Sequence, residues 1–176
     1  MHMRRIGNVY VMDSARILGD VQLGDDANLW CGAVVRGDVA AVRIGARCNL
    51  QDNVVVHCDD DVDLTIGDDV SMGHGAIVHC ARVGAGSLIG IGARVLAGCV
   101  IGERCLVAAG CVVPPNTTVP DGMVVMGLPG RIVRPLRPEE AAYLAMVPGR
   151  YVRLARLHHE TPHDPRTRVF GGKGAV

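Results

Sequence analysis

V-G-A-G-S-L (83–88), I-G-I-G-A-R (89–94), V-L-A-G-C-V (95–100), I-G-E-R-C-L (101–106), V-A-A-G-C-V (107–112), V-P-P-N-T-T (113–118) and V-P-D-G-M-V (119–124) run on without interruption, six residues to a unit. An aliphatic residue stands first in every unit, Gly is frequent second, and the fifth residue is usually small. Upstream, the same unit starts at Val11, Ile17, Leu23, Leu29 and Val35. It resumes at Ile44, Leu50 and Val56 after a three-residue slip, and at Ile66, Met72 and Val78 after an insertion. The unit that begins at Val78 is one residue short.

The fifth residue of one unit and the first of the next are two apart, as in Cys99 and Ile101, so on a strand they point to one side, the interior, while the residue between them faces out. A strand this short cannot bury its own apolar side. Coils of such strands stack into a continuous core, which makes the chain an all-β solenoid. The pattern resembles the hexapeptide-repeat, left-handed parallel β-helix, in which three units complete a triangular coil of eighteen residues. Handedness follows from that resemblance alone.

Composition agrees. With 23 Gly and only 3% aromatic residues in 176, the core cannot be the usual aromatic one. Cys48, Cys99, Cys105 and Cys111 take the small fifth position, where a thiol is a compact apolar filler. Seven cysteines without a CxxC pair argue against a disulfide framework and for reduced thiols. Cys58 and Cys80 stand at third positions beside histidines, which leaves a redox or ligand role open to them. Eighteen basic and eighteen acidic residues, with no basic face, point away from nucleic acid and from anionic membranes. The opening MHMRRIGNVY has no signal-peptide run, and no segment is apolar enough to span a bilayer, so a cytoplasmic protein is expected. His2 and Met3 have the character of a cloning remnant and are given no weight.

Residues 1–130 are read as the β-helix, closed by Gly127-Leu128-Pro129-Gly130. Residues 131–160 are read as a C-terminal helix packed on one apolar strip of the solenoid, with the helical pattern from Pro138 to about His159. Glu139 and Glu140 lie in its first turn, its apolar residues are Ala142, Leu144, Ala145, Val152, Leu154 and Leu157, and a break or kink is expected at Pro148-Gly149. The tail from 161 to 176 is read as disordered.

Three histidines lie within the repeats. His57 and His79 are second residues of units one full coil apart, so their imidazoles stack on one face about 4.8 Å apart at the backbone. Two ligands of one zinc can sit like that. His74 is a third residue, and five extended residues, about 16 Å, separate it from His79. It cannot reach the same metal within one chain, but a neighbouring chain packed about a three-fold axis brings it there. The expected site therefore takes two histidines from one subunit and one from the next in a homotrimer, with an open fourth position, the pattern of catalytic zinc. The same counting stacks Arg36 below His57 and Asp52 below His74.

The motifs R-G-D (36–38), N-L-Q-D (49–52), V-V-H (55–57), M-G-H (72–74) and V-H (78–79) resemble those of the γ-class carbonic anhydrases and their close relatives, over about residues 10 to 160. The resemblance implies His57, His74 and His79 as ligands of zinc, with iron or cobalt as alternatives. It implies Arg36 and Asp38 in a subunit-bridging pair, Gln51 and Asp52 near the metal-bound solvent, and Tyr151 on the terminal helix in the active site. Arg153 stands where an asparagine is expected. The implied reaction is hydration of carbon dioxide to bicarbonate by hydroxide, generated as the metal lowers the pKa of its water to about 7. Val39 replaces the glutamate that follows R-G-D in the archetype, and the acidic loop is reduced to C-D-D-D-V-D (58–63), where Asp59, Asp60 or Asp61 are the substitutes for proton export. Alternatives on the same scaffold are a hexapeptide-repeat acyltransferase, which uses one histidine as general base, a metal-dependent thioesterase, and a non-catalytic trimeric metal-binding scaffold.

Overall fold

The computed structural model describes residues 2–161. It is a left-handed parallel β-solenoid of about six turns with one C-terminal helix. Three columns of aliphatic side chains fill its triangular interior. The first face stacks Val11, Leu29, Leu50, Met72, Ile89, Val107 and Val125 in parallel register. The second stacks Ile17, Val35, Val56, Val78, Val95 and Val113. The third stacks Leu23, Ile44, Ile66, Val83, Ile101 and Val119. From Val35 to Val113 the second-face residues have essentially no exposed surface, and Cys48, Cys99, Cys105 and Cys111 fill the space between columns.

The slip, the insertion and the short unit at Val78 all fall at one corner, between the second and third faces. The long strands Arg16–Leu23 and Val34–Ile44 run around that corner without a break. The insertion after His57 makes a short loop ending at Leu64. Because the extra residues bulge outward, the columns on either side keep their register.

The remaining corners have a device that the six-residue pattern hides. In nearly every regular unit the fourth residue has a positive φ, which glycine adopts at no steric cost. Gly92 takes it at +65° and Gly110 at +68°, but Arg47 and Arg104 take it too, at +56° and +48°. The N–H of this residue donates to the third residue's carbonyl one coil below, as Gly110 does to Ile91 and Arg104 to Ala85, so each corner is bonded to the next.

Helix α1 (Pro138–Glu160) runs back down the first face. Its 23 residues span about 35 Å, enough to cross the seven rungs of that face at about 4.8 Å each. Arg134 and the backbone of Arg137 both bind the Glu140 carboxylate at its start, and Thr161 closes its last turn on Leu157.

Several expectations are corrected here. The helix does not break at Pro148: Leu144, Val147, Pro148, Val152 and Ala155 are all buried, and this packing keeps the helix continuous against a cost of about 3 kcal/mol for an interior proline. Ala142 and Ala145 are exposed. Residues 131–135 are not helical, because Gly130–Pro135 folds back on Met123–Gly127 as an antiparallel strand. Nor is the strip beneath the helix simply apolar. It includes Asn28, Asn49 and Ser71, all fully buried. Met3, given no weight above, pairs with Met12 in an N-terminal hairpin and is buried with Tyr10, Trp30 and Ala155 under the helix end. The tail beyond Thr161 lies outside the described residues. Among the described residues no helix is long and apolar enough to cross a membrane.

The corner geometry gives a stability test. The space around a Cβ at Gly92 is open, so Gly92→Ala should cost only the backbone strain, about 1 kcal/mol. Arg104→Gly should relieve the same strain and raise stability by up to about 1 kcal/mol. Urea denaturation of both variants beside the parent measures the two shifts, which should have opposite signs.

Candidate metal centre

His57 and His79 lie side by side on the second face, in direct register one coil apart. Their ring centroids are 5.3 Å apart and the planes are tilted by 51°. A tetrahedral ion bound by Nε2 at about 2.0–2.1 Å holds two imidazole centroids about 5.2 Å apart, so this pair fits a divalent cation without moving its backbone. Each ring already faces an anion: His57 Nε2 lies 3.1 Å from Asp38 Oδ1, and His79 Nε2 lies 2.7 Å from Asp59 Oδ1. Both carboxylates come from the bulging corner, one from each irregular coil.

Asp38 has a second partner. Arg36 of the same chain binds it through Nε and Nη2, at 3.2 and 3.0 Å. That hydrogen-bonded guanidinium holds the Asp38 carboxyl below the usual range. Val39 follows, exposed on the bulge. Of the three loop carboxylates weighed as substitutes, Asp59 is the one bound to a histidine.

His74 is elsewhere, at the corner between the first and second faces, with its side chain half exposed and Nδ1 2.8 Å from Asp52 Oδ2. Among the described residues, no three histidine, cysteine or acidic side chains of a single chain converge as a metal site. The structure thus brings two of the sequence-derived ligands together and leaves the third facing away from them.

Beside His74, between helix α1 and the first face, lies a cavity of about 360 Å³. Gln51, Leu88, Tyr143, Arg150 and Tyr151 contribute to its walls. Gln51 is buried and its amide donates to Asn49 Oδ1 at 3.0 Å, while Asn49 donates to Ser71 Oγ at 2.7 Å. Tyr151 packs edge-on against Trp30, with centroids 5.6 Å apart. Burial, and then the Asp52 charge, push the phenol pKa up, so Tyr151 remains a neutral hydroxyl.

Trp30, Cys31 and His158 also belong to this neighbourhood, although motif matching passed over them. Trp30 occupies the same second-position column as Gln51, and His158 follows Tyr151 by two helical turns. Both placements were readable from the counts. Trp30 meets His158 edge-on at 5.3 Å, and burial lowers the His158 pKa. Cys58 and Cys80 point into the core instead. Burial pushes the Cys80 thiol up to about 12, which argues against thiolate chemistry there.

Comparisons with known proteins bear on the same residues. The family model for the bacterial transferase hexapeptide (six repeats) matches residues 80–115. A Methanocaldococcus jannaschii protein named "Probable carbonic anhydrase" is 51% identical over 148 residues, covering 84% of this chain and 93% of that protein. "Gamma carbonic anhydrase 2, mitochondrial" of Arabidopsis thaliana is 38% identical over 86% of this chain and 56% of its own greater length. The crystal structure of a hexapeptide transferase family protein from Anaplasma phagocytophilum superposes with a TM-score of 0.81 at 35% identity, covering 86% of this chain and 89% of that one.

Cys31 offers a direct probe of the charge at this corner. It is the one cysteine that is not buried, and its pKa is raised by desolvation and then by Asp52. Its reaction with an aromatic disulfide should therefore need a higher pH than that of free cysteine. Asp52→Asn should accelerate it at pH 8, since removing the anion favours the thiolate. An unchanged or slower rate in that variant would contradict the assignment.

Proposed function

Since this chain belongs to the γ-class carbonic anhydrase-like family of hexapeptide-repeat proteins, we propose that it is a homotrimeric carbonic anhydrase-like lyase. In this reading His57 and His79 of one subunit and His74 of the next hold a divalent cation, zinc in the first instance and iron or cobalt otherwise. The observation that carries it is the registered imidazole pair, whose 5.3 Å separation suits one tetrahedral ion.

The trimer is supported by the division of the three faces. Helix α1 covers the first. The third presents a polar column of Gln22, Arg43, Thr65 and Arg82. The second is uncovered and mixes aliphatic with basic residues around the histidines: Leu18 is exposed and Val34, Val55, Ile77, Leu96 and Val112 are partly so, with exposed Arg16, Arg36 and Arg94 among them. Exposed apolar strips of this kind mark protein interfaces. Packing the second faces about a three-fold axis covers them and brings a neighbour's corner histidine to the pair.

A cation held there supplies Lewis acidity, drawing the pKa of water down towards 7, which is what hydration of carbon dioxide requires. The chain's own residues do the rest. Asp38 and Asp59 face the two Nε2 atoms and must yield them to a cation, Asp38 falling back on Arg36 and Asp59 towards solvent. Asp59 then stands next to the site as the acceptor through which a proton leaves, in place of the glutamate lost at Val39. Gln51 and Tyr151 border the cavity as neutral hydrogen-bonding groups. Seven cysteines outside any disulfide suit the reducing cytoplasm, where we place the protein.

A second reading is favoured by the cavity beside His74, since about 360 Å³ is far more room than carbon dioxide needs. It is acyl chemistry on the same scaffold, either metal-assisted thioester hydrolysis or acyl transfer with a histidine base. Elemental analysis of the purified protein, with stopped-flow carbon dioxide hydration, decides between the readings. Metal with hydration supports the lyase. Metal without hydration favours the thioesterase or a metal-binding scaffold, and a metal-free, inactive trimer overturns the metalloenzyme. In the first case His74→Ala and His57→Ala chains should each be inactive, but mixing them should restore about a quarter of the sites, because half the chains supply each part. No rescue would exclude a site shared between subunits.

A further inference from the structure

We infer that Asp52 is a positioning residue for His74, fixing the tautomer and ring orientation that leave Nε2 free to be presented to a neighbouring chain. The inference rests on the shared-site reading for its purpose, though not for its geometry.

The three repeat histidines do not meet their carboxylates in the same way. His57 and His79 turn Nε2 towards Asp38 and Asp59, whereas His74 turns Nδ1 towards Asp52, at 2.8 Å. A neutral imidazole carries one N–H, and an ionised carboxylate only accepts, so the nitrogen facing the carboxylate is the protonated one. His74 is therefore the Nδ1–H tautomer, with its lone pair on the outward Nε2. Asp38 and Asp59 stand in a cation's place and must move aside. Asp52 stands behind its ring and can stay, as carboxylates that orient metal-binding histidines do.

The stacking law of the solenoid explains why Asp52 is so placed. Cys31, Asp52 and His74 are third residues of successive first-face units, so they climb one corner a coil at a time. Backbone bonds hold the steps: Asn53 N–H donates to Cys31 O at 2.9 Å, Gly75 to Asp52 O at 2.8 Å, and Gly92 to His74 O at 2.9 Å. Ser14 stands a coil below Gly32 and accepts from its N–H at 3.1 Å. Burial, and then the Asp52 charge, raise the Cys31 thiol pKa. The carboxylate thus stands between Cys31 below and His74 above, on a corner held coil to coil by the backbone ladder. The His74 side chain is 47% exposed and meets this carboxylate at its Nδ1.

The pairing is too exposed for its purpose to be read from stability, because surface ion pairs contribute little. The test reads the tautomer and the metal separately. In metal-free protein, at a pH above the imidazole range, ¹H–¹⁵N correlation spectra should show His74 as the Nδ1–H form. Asp52→Ala should shift it towards the mixture of a solvated imidazole, and Asp52→Asn, which keeps an acceptor, should restore the wild-type form. Zinc affinity of the trimer, measured by chelator competition, should fall about 10- to 100-fold in Asp52→Ala and recover in Asp52→Asn. A His74 tautomer unchanged in Asp52→Ala overturns the inference. So does a shifted tautomer with zinc affinity within about twofold of wild type. A wild-type chain that holds the Nδ1–H form but takes up no zinc upholds the pairing and sinks the metal reading instead.

Discussion

Everything in this molecule depends on the parallel hydrogen-bond ladder between coils. Each rung bonds to the one below at about 4.8 Å, and the aliphatic columns leave no freedom to slip, because a shift of one residue would turn the interior set outward. The consequence is a lattice in which residues about eighteen positions apart become neighbours. His57 and His79 are paired by that lattice, and so are Cys31, Asp52 and His74. Proximity of chemistry is a by-product of the packing that holds the core.

A lattice this strict needs somewhere to place irregularity. Both long departures from the six-residue unit lie at the corner between the second and third faces, where the chain can bulge into solvent. They carry Asp38 and Asp59 to the two histidines. One regular column supplies the His57 and His79 pair at fixed spacing, and the bulges supply the acids that face it.

The three faces look alike in repeat pattern and are used differently. One is covered by a helix whose length matches the stack. One is polar and left to water. The third keeps partly exposed aliphatic residues around the histidine pair, and its incompleteness in a single chain mirrors that of the metal centre. Both deficits are met if the same surfaces close against each other, the simplest arrangement for a shared site.

The starting residue of every unit, the buried thiols and the one-coil separation of His57 and His79 could all be read from the chain, because a strict period maps sequence directly onto position. So could the inability of His74 to reach that pair. The period says nothing about non-repeating segments. Met3 looked dispensable until its hairpin was seen to seal the first coil, and Pro148 looked like a helix break until it was seen buried with four other residues along a continuous α1. The polar ladder beneath the helix and the nitrogen that each histidine turns to its carboxylate were likewise beyond counting. These depend on rotamers and on contacts between segments remote in sequence, which packing selects. The sequence by itself determined the solenoid and its columns, since these follow from a period of six and the two-residue alternation of a strand. Only the tertiary structure decided how Asp38, Asp52 and Asp59 share out the three imidazoles, since side-chain direction is set by what fills the space around it.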